Sequence, residues 1–165
     1  MHRITSLLKL GIICIAAVLA ACQGLPKSRY DGKDYLVFVE PGDLMLQGHD
    51  VVALFTDRAI TKGDPQFQTR FHDAMYYFAN AEHLAMFSAA PEQYAPQYGG
   101  HCAVAVSLGH LSPAYIDTWR IIDGKLYVQH NQKALALWDE DQAGNLVKSR
   151  KNWPGLVADY HKKAP

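Results

Sequence analysis

The stretch Phe67-Gln68-Thr69-Arg70-Phe71-His72-Asp73-Ala74-Met75-Tyr76-Tyr77-Phe78-Ala79-Asn80-Ala81-Glu82-His83-Leu84-Ala85-Met86-Phe87 decides how this chain folds. Two aromatic, β-leaning runs flank His72-Asp73-Ala74, so Phe67 to His72 and Met75 to Ala79 read as a β-hairpin. Asn80 then offers a side-chain acceptor at a helix start, and Glu82 complements the positive end of the helix dipole. Leu84, Phe87 and Ser88 share one face before Pro91 stops the run. A hairpin feeding directly into a helix is the local unit from which the rest is read.

Working outward, Tyr35 to Val39 is a strand or extended arm ended by Pro41-Gly42. Asp50 stands where it can cap a helical turn at Val51 to Phe55, and Pro91 to Pro96 is a tight turn or one helical turn. Thr118 to Ile122 and Lys125 to Gln129 bracket Asp123-Gly124, the strongest hairpin signal in the chain. Ala103 to Leu108 is ambiguous between helix and strand by periodicity. Asn131 to Trp138 and Gly144 to about Lys151 read as amphipathic helices, with Trp153-Pro154 interrupting before a last helical stretch. No internal repeat or low-complexity segment is visible. The fold class expected is α+β, a small antiparallel sheet of two hairpins covered by several helices.

The N-terminus carries its own signal. His2, Arg3 and Lys9 form a basic head, and Leu10 to Ala21 is an uncharged apolar run too short to span a bilayer core of about 30 Å. That order fits a secretory signal. It ends in Leu19-Ala20-Ala21-Cys22, which resembles the lipobox of bacterial lipoproteins, and the resemblance implies cleavage before Cys22 and acylation of its sulfur, with palmitate-type chains holding the protein to the membrane. Several chains anchor stably where one does not. The rival reading is an uncleaved anchor that keeps Cys14 and Cys22. The domains expected are a signal peptide at 1–21, a lipidated polar tether at 22–33 and one domain at 34–165. Gln23 after the cysteine, in place of aspartate, favours the outer membrane facing the periplasm.

The full sequence has 16 Lys plus Arg, 16 Asp plus Glu, eight His and three Cys. Balanced charge of this kind carries no nucleic-acid footprint. Once Cys14 leaves and Cys22 is acylated, Cys102 is the sole thiol, set in Tyr98-Gly99-Gly100-His101-Cys102-Ala103. A single cysteine makes no internal disulfide in an oxidising compartment. It is therefore a small buried hydrophobe, a metal ligand or a reactive thiol.

Tyr76-Tyr77-Phe78-Ala79-Asn80-Ala81-Glu82-His83 with Phe87, Pro91, Glu92 and Tyr94 resembles the YHS domain. The longer span from Gly48-His49-Asp50 through Tyr98-Gly99-Gly100-His101-Cys102-Ala103 to Asp123-Gly124-Lys125-Leu126-Tyr127 and Asn152-Trp153-Pro154 is similar to bacterial YHS domain-containing (seleno)proteins. It covers roughly residues 44 to 156. In that group selenocysteine can replace the cysteine, which implies a chemically active position at Cys102. The resemblance departs at the metal cysteines of copper-ATPase-associated YHS domains: their positions fall on Ala79, His83 and a site near Ala53.

A metal site would therefore be rebuilt from Cys102 as principal ligand with His83 and His101. Sulfur with imidazole suits Cu(I) above Zn(II), because no paired-cysteine spacing for a closed zinc site is present. Met86 shares a helix face with His83, and His49 and His72 are further imidazoles near matched positions. Each single histidine also has a plain structural reading as a solvated or hydrogen-bonded side chain. The expected function is an envelope lipoprotein binding or sensing a soft metal, copper favoured. One alternative is a thiol- or peroxide-reactive redox protein, with Cys102 catalytic and made nucleophilic by a helix start and a protonated His101; the other is a non-catalytic envelope interaction module. Asp50 with a histidine is a further acid/base pair to weigh against a capping role.

Overall fold

Asn80 and Asn131 perform the same task in two places. In a computed structural model describing residues 27–30 and 35–163, the Asn80 side chain accepts the His83 N–H at 2.8 Å and Asn131 accepts the Ala134 N–H at 2.9 Å. Each asparagine closes a hairpin and opens a nine-residue helix. The signal region, Cys14, Cys22 and most of the tether lie outside the described residues.

The strands are β1 (Lys27–Tyr30), β2 (Leu36–Val39), β3 (Asp64–Phe71), β4 (Ala74–Phe78), β5 (Tyr115–Ile122) and β6 (Lys125–Gln129). The helices are α1 (Val51–Thr56), α2 (Ala81–Ala89), α3 (Pro91–Tyr94), α4 (Ala103–Ser107), α5 (Gln132–Glu140) and α6 (Gln142–Lys163). The class is α+β. The strands form three separate antiparallel pairs, β1 with β2, β3 with β4 and β5 with β6. Both expected hairpins are present, each as its own two-stranded ribbon. Residues 27–30, read as tether, instead pair with β2, Lys27 opposite Val39 and Tyr30 opposite Leu36.

The element order repeats, contrary to the expectation of no internal repeat. Residues 45–94 run left-handed turn, short helix α1, hairpin β3–β4, asparagine cap, helix α2, helix α3. Residues 97–163 run left-handed turn, short helix α4, hairpin β5–β6, asparagine cap, helix α5, helix α6. The likeness extends to detail. Pairing jumps between Asp64 and Gln68 in β3, and between Tyr115 and Trp119 in β5, so both hairpins carry their irregularity at the same place. The residue ending α2, Ala90, has φ −150 and ψ 65; the one ending α5, Asp141, has φ −140 and ψ 58. The Asp50 N–H donates to Thr61 O at 2.9 Å, and the Cys102 N–H to Ser112 O at 3.0 Å.

The two turns are the unusual part. Leu46, Gln47 and Gly48 all have positive φ, as do Tyr98, Gly99 and Gly100. Left-handed backbone costs a non-glycine residue about 1–2 kcal/mol, so Leu46, Gln47 and Tyr98 hold it only because packing fixes them. Leu46 is buried, and the Tyr98 hydroxyl is 2.7 Å from Ser149 Oγ. Gly99 has φ +57, and a Cβ there would run into the Leu36 carbonyl oxygen, so β2 lies directly on the turn.

The core gathers both repeats around one apolar centre that includes Val52, Leu54, Tyr76, Phe78, Phe87, Val104, Val106, Leu126, Val128 and Trp138. The Ala103 to Leu108 ambiguity resolves as helix α4. Helix α6 departs from expectation: Pro154 sits inside a continuous helix instead of breaking it. A proline there removes one helical hydrogen bond, and tertiary contacts hold the segment in register. Asn152 Nδ2 donates to Val106 O and Ser107 O at 3.1 and 3.0 Å, while Trp153 packs on Tyr98 and His101.

Two glycine substitutions test this packing. Gly99→Ala should cost about 3 kcal/mol or more, from backbone strain plus the clash with β2. Gly155→Ala, with open space around its Cβ position inside α6, should stabilise by roughly 0.5–1 kcal/mol. Urea unfolding of both variants measures the contrast.

Candidate functional site

The caps of α1 and α4 are the two places where chemistry-bearing side chains are buried. Asp50 is fully buried, and its carboxylate accepts four hydrogen bonds. Oδ1 takes the N–H groups of Val52 and Ala53 at 2.8 and 3.2 Å; Oδ2 takes the Ala79 N–H at 2.8 Å and faces His83 Nδ1 at 2.6 Å. Asp50 thus joins α1, the end of β4 and α2. Both sequence readings of Asp50 hold at once, as a helix cap and as the partner of a histidine. A carboxylate with no free lone pair directed elsewhere fixes the tautomer of its neighbour. His83 carries its proton on Nδ1 when neutral, leaving Nε2 as the basic nitrogen.

Cys102 occupies the equivalent position in the second repeat. Its φ and ψ, −59 and 114, compare with −75 and 108 for Asp50. Asp50 accepts main-chain N–H groups with its side chain, but Cys102 caps α4 without a side-chain hydrogen bond to the helix. Where the first repeat has His83, the second has Ala134, each receiving its N–H bond from the capping asparagine. The polar neighbour of Cys102 is instead Gln129 at the end of β6. Gln129 Oε1 accepts the Val104 N–H at 2.9 Å and lies 3.5 Å from Cys102 Sγ, within reach of the thiol proton. Accepting from an amide N–H orients the Gln129 carboxamide, so its oxygen faces α4 and its Nε2 is left buried with no partner.

Cys102 is a free, buried thiol, 1% exposed. Burial pushes its pKa up, and the amide donors of Ala105, His130 and Val104 pull the other way without overcoming it. The resting sulfur is therefore a protonated thiol, which corrects the expectation of an activated thiolate. His101 is corrected likewise. Its Nδ1 is 2.8 Å from the Tyr98 carbonyl oxygen, and burial lowers its pKa to about 4. At neutral pH it is an uncharged imidazole with Nδ1 protonated toward that carbonyl, so no positive charge from His101 supports a thiolate.

The three expected metal ligands are not gathered at one point. Among the described residues no group of three or more His, Cys, Asp or Glu side chains could hold an ion. His83 turns Nδ1 to Asp50, His101 turns Nδ1 to Tyr98, and Cys102 faces Gln129. His49 repeats the His101 arrangement, with Nδ1 3.0 Å from Leu46 O, and the His72 ring stacks on Tyr35 at 3.6 Å. Sequence reasoning missed Gln129, whose only local signal is a polar residue closing Leu126-Tyr127-Val128. Among the described residues no helix is long and apolar enough to cross a membrane.

Two measurements follow from these caps. Asp50→Ala strips the acceptor from three N–H groups and should cost about 3–5 kcal/mol; Asp50→Asn should cost nearly as much, because its amide nitrogen would face donors at Ala79 and His83. For His101, the unfolded chain binds a proton near pH 6.5 and the folded chain only near 4, so stability should fall as pH drops through that window. The loss is on the order of 3 kcal/mol, and His101→Phe should flatten the profile if its ring is accommodated beside Trp153. Urea midpoints from pH 7.5 to 4 read both effects.

No family model, curated protein or solved structure matches this chain.

Proposed function

We propose that this chain is a lipid-anchored protein of the bacterial envelope whose YHS-like domain binds a soft transition metal ion, Cu(I) first, with Cys102 as the sulfur ligand. The observation that carries the reading is a thiol buried from water and held protonated, followed in importance by the buried, neutral imidazole of the residue before it in the chain. A nucleophile needs a standing population of thiolate, and burial of Cys102 opposes that. A metal ligand needs only to surrender its proton when the ion arrives, since binding and deprotonation are coupled.

His101 fits the assisting role better than His83 does. Its lowered pKa keeps the ring uncharged throughout the neutral range, as an imidazole ligand must be. His83 belongs to the Asp50 cap, in the carboxylate–histidine arrangement that orients metal-bound imidazoles, but on the other repeat. A closed four-ligand zinc centre does not fit the described residues. Cu(I), soft and content with fewer donors, is the ion that the Cys102 sulfur would favour. Bound Cu(I) would be a soft Lewis acid, and the protein's residues would hold it, shield it from water and release the thiol proton.

The lipobox reading and the lack of any other thiol in the processed chain support placement in the envelope, since a lone buried cysteine survives an oxidising compartment. Competition of the full chain with a chromophoric Cu(I) chelator should reveal one equivalent of copper bound, lost in Cys102→Ser and weakened in His101→Phe. Undiminished binding by Cys102→Ser would overturn the assignment. Mass spectrometry of protein extracted from membranes should find residues 1–21 removed and Cys22 carrying acyl chains; an intact Met1 would contradict the anchor.

A further inference from the structure

The pairing of β1 with β2 changes how far the domain can stand from its lipid anchor. A tether of residues 22–33, as the sequence alone suggests, reaches about 40 Å when fully extended. With Lys27 already paired opposite Val39, only Gln23, Gly24, Leu25 and Pro26 separate Cys22 from the folded domain. The five Cα-to-Cα steps from Cys22 to Lys27 reach at most about 18 Å. A single domain of this size has a radius of gyration of about 14 Å, and hence an outer radius of roughly 18 Å. A leash no longer than that radius keeps its attachment point in the half of the domain that faces the membrane. The longer leash would leave the domain free to turn.

Strand register identifies the end of the domain that is held down. Strand β1 enters at Lys27, beside Val39, and runs away to Tyr30, beside Leu36. Val39 leads directly into a loop at 40–44, closed where the Glu40 N–H donates to Leu44 O at 2.9 Å and the Leu44 N–H donates to Glu40 O at 3.2 Å. The Asp43 carbonyl accepts the Met75 N–H at 2.8 Å, and its carboxylate pairs with exposed Arg70 at 3.4 Å. The loop is thereby tied to β3 and β4 and moves with the domain. Its tip, Gly42, is exposed.

We propose that the loop at 40–44, with neighbouring Arg70, is the surface by which the domain rests on the bilayer that holds its acyl anchor. The partner is the lipid headgroup layer itself. This inference rests on the lipobox reading of Cys22 and is independent of copper binding. Glu40, Asp43 and Arg70 carry both signs of charge, which suits contact with hydrated headgroups and opposes entry into the hydrocarbon. The contact is therefore superficial, set by the short leash. Strand β2 also carries Phe38, whose ring meets His101 edge-on at 5.9 Å, so the candidate metal residue His101 lies one strand in from the anchored β1. Exchange of an ion at that site then takes place close to the membrane surface.

The test is fluorescence quenching of the acylated full chain in vesicles of phosphatidylethanolamine and phosphatidylglycerol doped with a nitroxide-headgroup lipid. Arg70→Cys removes one exposed ion pair, worth little, and with Cys22 acylated and Cys102 buried the introduced thiol alone takes a fluorescent maleimide. The expected result is strong quenching at residue 70, matched by a probe on Pro41→Cys in the loop itself. Inserting about twenty glycine and serine residues after Gln23 should cut the quenching about threefold or more, because the reach of a flexible chain grows with the square root of its length. Acylated protein whose probes at both positions are unquenched, or whose quenching the insertion leaves unchanged, would overturn the inference while the anchor stands. Mass spectrometry of the same sample showing Cys22 without acyl chains would remove the lipobox reading and this inference with it.

Discussion

A buried carboxylate that accepts main-chain N–H groups from two directions is the constraint on which the first half of this structure depends. In the first repeat Asp50 ties the start of α1 to the end of β4 and, through His83, to α2. Without it three N–H groups would be buried and unpaired, and the hairpin would have no fixed angle to the short helix. The left-handed turn just before it exists to deliver that side chain inward. His49 and His101 brace the two turns identically, each ring reaching back to the carbonyl three residues earlier. Strain at Leu46, Gln47 and Tyr98 is the cost of aiming Asp50 and Cys102 into the core.

The second repeat keeps the frame and changes the acceptor. Cys102 replaces the carboxylate, Ala134 replaces His83, and Gln129 enters to take the Val104 N–H that sulfur satisfies poorly. The weaker cap is compensated by an addition that the first repeat lacks. Helix α6 continues far beyond the point where α3 stops, and it clamps α4 through Asn152 to Val106 and Ser107 and through Asn145 to Ser107. That clamp, with Trp153 against His101, shuts Cys102 and His101 away from water. It makes the thiol protonated and the imidazole neutral.

Much of the local structure was legible because it rests on short-range chemistry. Asn80 and Asn131 announce their helices, Asp123-Gly124 announces its hairpin, and Asp50 announces a cap. The repeat was not legible, because the signal is sparse: Gly48-His49 against Gly100-His101, Ala53 against Ala105, and the two asparagines. What recurs is backbone geometry and hydrogen bonding, and those are carried by different side chains in each half. The Asp50–His83 pair spans 33 positions and Cys102–Gln129 spans 27, beyond the reach of periodicity. The helix break read at Pro154 failed for a related reason, since Asn152 and Trp153 hold α6 through contacts with residues some 45 positions earlier.

The central claim is that residue 102 holds in the second repeat the helix-cap position that Asp50 holds in the first. The most direct measurement is a crystal structure of the Cys102→Asp variant. The account predicts an unchanged fold, with the new carboxylate accepting the Val104, Ala105 and His130 N–H groups at the 2.8–3.2 Å distances that Asp50 makes to its own main-chain donors. A carboxylate swung out to solvent, or an α4 displaced to release it, would contradict the account.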